Sequence, residues 1–212
     1  TYLEYISSDI DDTKVVETLK NDFNGKDILV LVPGNSVTKN IPSIYKYIKE
    51  KNPVIISVNF IHDDIESDYV YMSNVRRYSS MKRDRRFEEC KKIITSNIKR
   101  KASNNEIVIS FNKLIKCGWN NLDNSSIMLL RLLDRFNLNS IAIAGFDGYN
   151  VNINCNYATD MLELSNVREN PLELNEEIYS MLQDFKATRT HDTSIKFITA
   201  SRFAGIFEEG NV

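Results

Sequence analysis

Seven short apolar runs punctuate this sequence, at Ile28–Val32, Val54–Val58, Tyr69–Met72, Ile93–Thr95, Ile107–Ser110, Ile141–Ala144 and Ile195–Thr199. Several are β-branched and almost free of polar residues, as expected of strands covered on both faces. Helical patterns lie between them. Ile41, Ile44, Tyr45 and Ile48 fall at i, i+3, i+4 and i+7 and form one apolar stripe. Leu174, Ile178, Met181, Leu182 and Phe185 do the same near the C-terminus, and Ile127–Phe136 is apolar almost all round. That last helix should be the most buried. Strands alternating with helices predict an α/β domain, Rossmann-like and three-layered, with a mainly parallel sheet. The domain is expected over residues 13–212. Thr1–Asp12, polar and aromatic, reads as a connector from a preceding domain, and a first residue other than Met fits a piece of a longer chain.

Composition narrows the class. The chain has 212 residues, 42% of them hydrophobic, with 27 Lys+Arg against 29 Asp+Glu. It is long enough to bury a core without metals or disulfides. No apolar run approaches the roughly 20 residues of a membrane span, and no basic-then-apolar leader opens it. Cys90, Cys117 and Cys155 lie far apart without C-x-x-C spacing, which favours buried thiols in a reducing, cytoplasmic setting. His62 and His191 are the only histidines, too few for a His-rich zinc site. No metal or resident cofactor is expected.

Charge is uneven. Between Arg76 and Lys101 eleven basic residues face Asp84, Glu88 and Glu89, a local balance of 11 − 3 = +8, so the remainder carries −2 − 8 = −10. A solvated face explains this, and so does an anion-attracting wall beside a phosphate site. Nucleic acid is a poor partner, because the acidic remainder would repel its backbone and no stacking-aromatic module is evident.

The clearest motif is the run from Ile28 to Val32 followed by Pro33-Gly34-Asn35-Ser36. A buried strand enters a tight turn at which Gly34 permits close backbone approach, and the following amides can cradle an anion. It is neither G-x-G-x-x-G nor a Walker loop. Other strand ends are polar as well: Asn59 after the second, Ser73-Asn74 after the third, Asn97 after the fourth and Asp147 after the sixth. Amides and hydroxyls converging on one sheet edge suit a base, a ribose or a sugar, although each is also a turn former. Asp123, Asn124 or Ser125 must cap the apolar helix, and Ser125 with Ser126 could bind a ligand there. Asp63 and Asp64 read as the start of a short helix. Both histidines read best as surface residues, with His191 or His62 available as a base. Asp147, between two glycines, is the stronger catalytic candidate.

In order, Val32-Pro33-Gly34-Asn35-Ser36, Ser57-Val58-Asn59-Phe60, Tyr71-Met72-Ser73-Asn74, Asp123-Asn124-Ser125-Ser126 and Ala144-Gly145-Phe146-Asp147-Gly148-Tyr149 carry a resemblance over nearly the whole chain. Together they resemble the C-terminal domain of bacterial 4-hydroxy-2-oxovalerate aldolase and HMG-CoA-lyase-like proteins associated with surface-polysaccharide biosynthesis. Tyr2-Leu3-Glu4-Tyr5 and Ile10-Asp11-Asp12 look like the end of the connector in those proteins. That resemblance implies an aldolase barrel in the same chain as a partner. More remotely, the motifs are similar to CMP-sugar sialyltransferases and to the 6-hydroxymethylpterin diphosphokinase-like domain. The sialyltransferase likeness implies CMP held by Gly34, Asn35, Asn59, Ser125 and Ser126, with Asn74 near the sugar or phosphates. Two departures weaken transfer chemistry: His191 follows the final helix instead of preceding it, and Ser126-Ile127 replaces Ser-Gly.

Two functions follow as expectations. The first is a nucleotide or nucleotide-sugar (CMP-sugar) binding domain, glycosyltransferase-like, with Gly34, Asn35, Ser36, Asn59, Ser73, Asn74, Ser125, Ser126 and Asp147 as ligand contacts and Asp147 and His191 as catalytic groups. The second is a non-catalytic accessory module of an aldolase or lyase protein. A deep polar cleft favours the first, and a large apolar surface with a shallow sheet edge the second.

Overall fold

The computed structural model describes residues 9–99, 105–121, 123–150, 157 and 170–208. In chain order the elements are α1 (Thr13–Phe23), β1 (Asp27–Leu31), α2 (Ser36–Lys39), α3 (Ile41–Lys51), β2 (Val54–Val58), β3 (Tyr69–Met72), α4 (Val75–Met81), α5 (Arg85–Glu89), β4 (Lys91–Thr95), β5 (Glu106–Ile109), α6 (Ser125–Leu133), β6 (Ser140–Ala144), α7 (Pro171–Thr188) and β7 (Ser194–Phe197), with a 3₁₀ turn at Ala204–Ile206. All seven expected strands form, within a few residues of their expected ends. No helix is long and apolar enough to cross a membrane among the described residues.

The sheet is parallel throughout, in the order β5-β4-β3-β2-β1-β6-β7. The chain steps outward from β1 to β5, then returns to the other side of β1 for β6 and β7. Alternate strand residues explain the layers. Ile28, Val30, Ile56, Val58, Tyr69, Tyr71 and Ile93 face α1, α6 and α7. Leu29, Leu31 and Ile55 face α3, while Val70, Met72 and Ile94 face α4 and α5. Connecting helices therefore change face where the strand order reverses, as a single crossover sense requires. The chain is an α/β Rossmann-like three-layer fold.

The core is deepest around α6, where Ile127, Met128, Leu129, Leu130, Leu132 and Leu133 are all buried. The expected nearly all-apolar helix thus lies between the sheet and its neighbours. Phe23 of α1 packs edge-on against Phe136 and Tyr69, at centroid distances of 5.2 and 5.4 Å.

Several local expectations are corrected. No helix starts at Asp63-Asp64; the chain bends there, with the Asp64 amide donating to His62 Nδ1 at 3.0 Å. His62 is buried rather than on the surface, because it packs edge-on against Phe60, and burial pushes its pKa down. Cys117 is exposed and Cys90 half-buried, so neither is an interior thiol; Cys155 lies outside the described residues. Asp12, expected as part of a connector, is anchored in the fold, its side chain fully buried. Its carboxylate accepts from the Ser110 amide (3.1 Å), Lys113 Nζ (2.6 Å) and Arg135 Nη1 (3.2 Å), which ties the start of α1 to the end of β5.

Burial opposes the charge on Asp12, yet those three donors outweigh it and hold its pKa below the usual carboxylate value. A depressed folded pKa contributes stability above the unfolded value, and that contribution is lost as the pH falls through the folded one. Asp12→Ala is expected to cost about 2–4 kcal/mol at pH 7 in urea unfolding. The gap from wild type should narrow below pH 3.8.

Candidate functional site

Parallel sheets bind ligands beyond their carboxyl ends, at the point where strand order reverses. Here that point lies between β1 and β6. A cleft of about 680 Å³ opens there. Val32, Val58, Phe146, Leu174, Ile178 and Met181 supply its apolar surface, and Asn59, Asn74, Arg76, Arg77, Asn120, Asn121, Asn124, Ser125 and Ser126 its polar walls. Gly34, Asn59, Asn74, Ser125, Ser126 and Asp147 thus gather at one edge of the sheet, as their places after strands and before α6 predict.

The Gly34 turn has a different task from the expected anion cradle. Asp147 fills it. One carboxylate oxygen accepts from the Ser36 amide at 2.7 Å and the other from the Ser36 hydroxyl. Ser36 Oγ lies 2.8 Å from Thr199 Oγ1, which accepts from the Gly145 amide at 2.9 Å. A hydroxyl has one proton, so with Ser36 donating to Asp147, Thr199 donates to Ser36. The loops after β1, β6 and β7 are locked by one chain of hydrogen bonds.

The glycines serve the same contact. A Cβ on Gly34 would stand 2.2 Å from the Gly145 carbonyl oxygen and 2.7 Å from Asp147 Cγ. Gly145, at φ +80°, could take none without meeting the Val32 carbonyl at 1.9 Å. Close backbone approach is required here, as the sequence suggested, but the neighbour is the protein itself.

Ser36 and Ser73 are buried, and neither they nor Asn35 line the cleft. Ser73 instead donates to Ser125 Oγ at 2.7 Å, joining the end of β3 to α6. Asn97 is a turn former: its Nδ2 donates to the Ser73 carbonyl, and its Oδ1 accepts from the Thr95 hydroxyl. The cap of α6 is Asn124, whose Oδ1 accepts from the Ser126 amide at 2.8 Å. Asp123 is occupied on both oxygens, by the Asn124 amide, the Lys116 amide and the Arg131 guanidinium.

His191 is in the wrong place for catalysis in this cleft. It precedes β7, at the amino end of the parallel strands, where its Nδ1 lies 2.6 Å from the Asp134 carbonyl oxygen. No histidine lines the cleft among the described residues.

The basic segment divides. Arg76 and Arg77, in the first turn of α4, line the cleft. Lys92 is buried, with its ammonium on the Glu88 and Cys90 carbonyls, and Arg85 and Arg86 pair with Glu89, Asp84 and Asp63. Arg100 and Lys101 lie outside the described residues.

Sequence reasoning missed Asn120, Asn121 and Tyr157 as cleft residues. The Asn pair follows β5, and the Glu177 carboxylate on α7 holds it, accepting from both backbone amides and from Asn121 Nδ2. A position after a strand was its only sequence signal. Tyr157 lies under the Arg77 guanidinium, 5.6 Å from ring centroid to Cζ, and 6.4 Å from Tyr149. Tyr149 is held by Asn175, which exchanges two 2.8 Å hydrogen bonds with its backbone. No family model, curated protein or solved structure matches this chain.

Two substitutions check the interlock. Gly34→Ala is expected to destabilise by about 3 kcal/mol, because backbone stands where the methyl must go. Burial lifts the Asp147 pKa despite the two Ser36 hydrogen bonds. A raised carboxyl pKa means that the folded state binds the proton more tightly, so this group's contribution falls as the pH rises from 3.8 through the folded value. In urea unfolding across that range, the Asp147→Asn variant should gain on wild type as the pH rises.

Proposed function

We propose that this domain binds a nucleotide or nucleotide-activated sugar, a CMP-linked acidic sugar being the class its motif order suggests. The observation that carries the reading is the cleft at the reversal point of the sheet, with two arginines on one wall and neutral amides and hydroxyls on the others. Arginines attract phosphate, and neutral hydrogen-bonding groups suit a base or sugar without repelling an anion. Binding is better supported than glycosyl transfer. Asp123 and Asp147 are the carboxylates lining the cleft among the described residues, and each is engaged by protein donors.

An accessory module for an aldolase barrel would instead dock through a contiguous apolar face. Among the described residues, the large exposed apolar side chains, Ile10, Tyr45, Val75, Leu172 and Tyr179, come from four separate parts of the fold. The cleft, with its arginines, amides and hydroxyls, favours the first reading.

A thermal-shift series against nucleotides and CMP-, UDP- and GDP-sugars tests it. At ligand about tenfold above Kd, stabilisation is about 1.4 kcal/mol, a rise of roughly 3–6 °C for a chain of this size. The Arg76→Ala, Arg77→Ala double variant should bind more weakly and with less dependence on salt. If no nucleotide raises the melting temperature, the binding reading fails and the accessory-module reading takes its place.

A further inference from the structure

Two asparagines of the cleft, Asn74 and Asn124, are not interchangeable amide groups, because each has its oxygen committed. Asn74 Oδ1 accepts from two backbone amides, Arg76 N at 3.0 Å and Arg77 N at 3.1 Å. Two N–H donors at one atom require it to be the oxygen, so the Nδ2 group is the end left over. Asn124 is fixed the same way by the Ser126 amide. Asn59 stands at the end of β2 with φ +60°. Its Oδ1 is buried, with no hydrogen-bond partner among the described residues. In Asn74 and Asn124 the acceptor is turned to the backbone. Their Nδ2 groups donate to nothing else among the described residues, and the guanidinium groups of Arg76 and Arg77 stand beside them on the cleft wall. Guanidinium groups have donors and no acceptor. The Gly34 turn cannot supply the complementary site, since Asp147 occupies its amide and repels a second anion.

From this we infer that the wall formed by Asn74, Asn124, Arg76 and Arg77 is a donor-only subsite for a multiply charged, acceptor-rich group, the phosphate or pyrophosphate of the ligand. The inference rests on the nucleotide reading above and adds the ligand's orientation: its anion lies between the starts of α4 and α6, away from Asp147. A neutral sugar matches this donor set less well than a phosphate does, since each of its hydroxyls brings a donor of its own.

The capping geometry supplies a clean test. Aspartate caps a helix as well as asparagine does. Asn74→Asp and Asn124→Asp therefore keep the Oδ1 bonds and the fold, but replace each Nδ2 donor with a negatively charged oxygen. Calorimetric titrations of the full chain with inorganic pyrophosphate, CMP and cytidine compare wild type with each variant at one ionic strength. Pyrophosphate and CMP should each bind at least tenfold more weakly to either variant, with cytidine and the melting temperature unchanged. Asn170→Asp makes the same substitution at the cap of α7, outside the cleft, and should leave pyrophosphate binding as in wild type. Equal CMP affinity in wild type, Asn74→Asp and Asn124→Asp would overturn the donor wall and leave the nucleotide reading standing. Failure of wild type to bind any of the phosphate compounds would overturn both.

Discussion

Much of the carboxyl edge of this sheet depends on a single carboxylate. Asp147 leaves the end of β6 and docks on the turn after β1, where its oxygens take the Ser36 amide and hydroxyl. Thr199 extends the contact to the loop after β7. Neighbouring parallel strands pair along their length, but beyond their ends the loops would be free to splay. The carboxylate, Ser36 and Thr199 together join three of them, and Gly34 and Gly145 let the two backbones approach to a hydrogen bond of 2.9 Å between the Gly34 amide and the Gly145 carbonyl. The cost is that the turn after the first strand, which could have cradled an anion, is used internally.

That internal use shifts ligand chemistry across the cleft. A phosphate placed at the Gly34 turn would meet Asp147; one placed by α4 and α6 would meet Arg76, Arg77 and carboxamide donors. The helix caps have a second consequence here. An Asn cap satisfies backbone amides with its oxygen and thereby orients its own amide group, so a local folding requirement also polarises the cleft wall. Asp123 lies close by without spoiling that polarity, because two backbone amides and Arg131 saturate it.

Legibility from sequence followed the range of each interaction. The seven strands and the buried α6 could be read because apolar periodicity is written over consecutive residues. The convergence of Gly34, Asn59, Asn74 and Ser125 could be read because parallel strands place all their carboxyl ends on one edge. Asn124 was one of three adjacent capping candidates, and only the backbone angles chose it over Asp123 and Ser125. Asp147 was singled out as functional between two glycines, while its partner, 111 positions away, was invisible. His191 was judged by its residue type; its position before β7 sets it at the opposite end of the sheet from the cleft.

The sequence alone determined the fold class, the edge at which the cleft lies and the polar character of that edge. These follow from hydrophobic patterning and from the direction of parallel strands, which need no knowledge of contacts. Tertiary structure decided how those polar groups are spent: Ser36 on Asp147, Ser73 on Ser125, Asn97 on Ser73, and Asn74 and Asn124 on backbone amides. The physical reason is that a donor or acceptor is exhausted by whichever partner reaches it first. In a packed domain most of those partners are distant in sequence, and what is left unspent is what the cleft can offer a ligand.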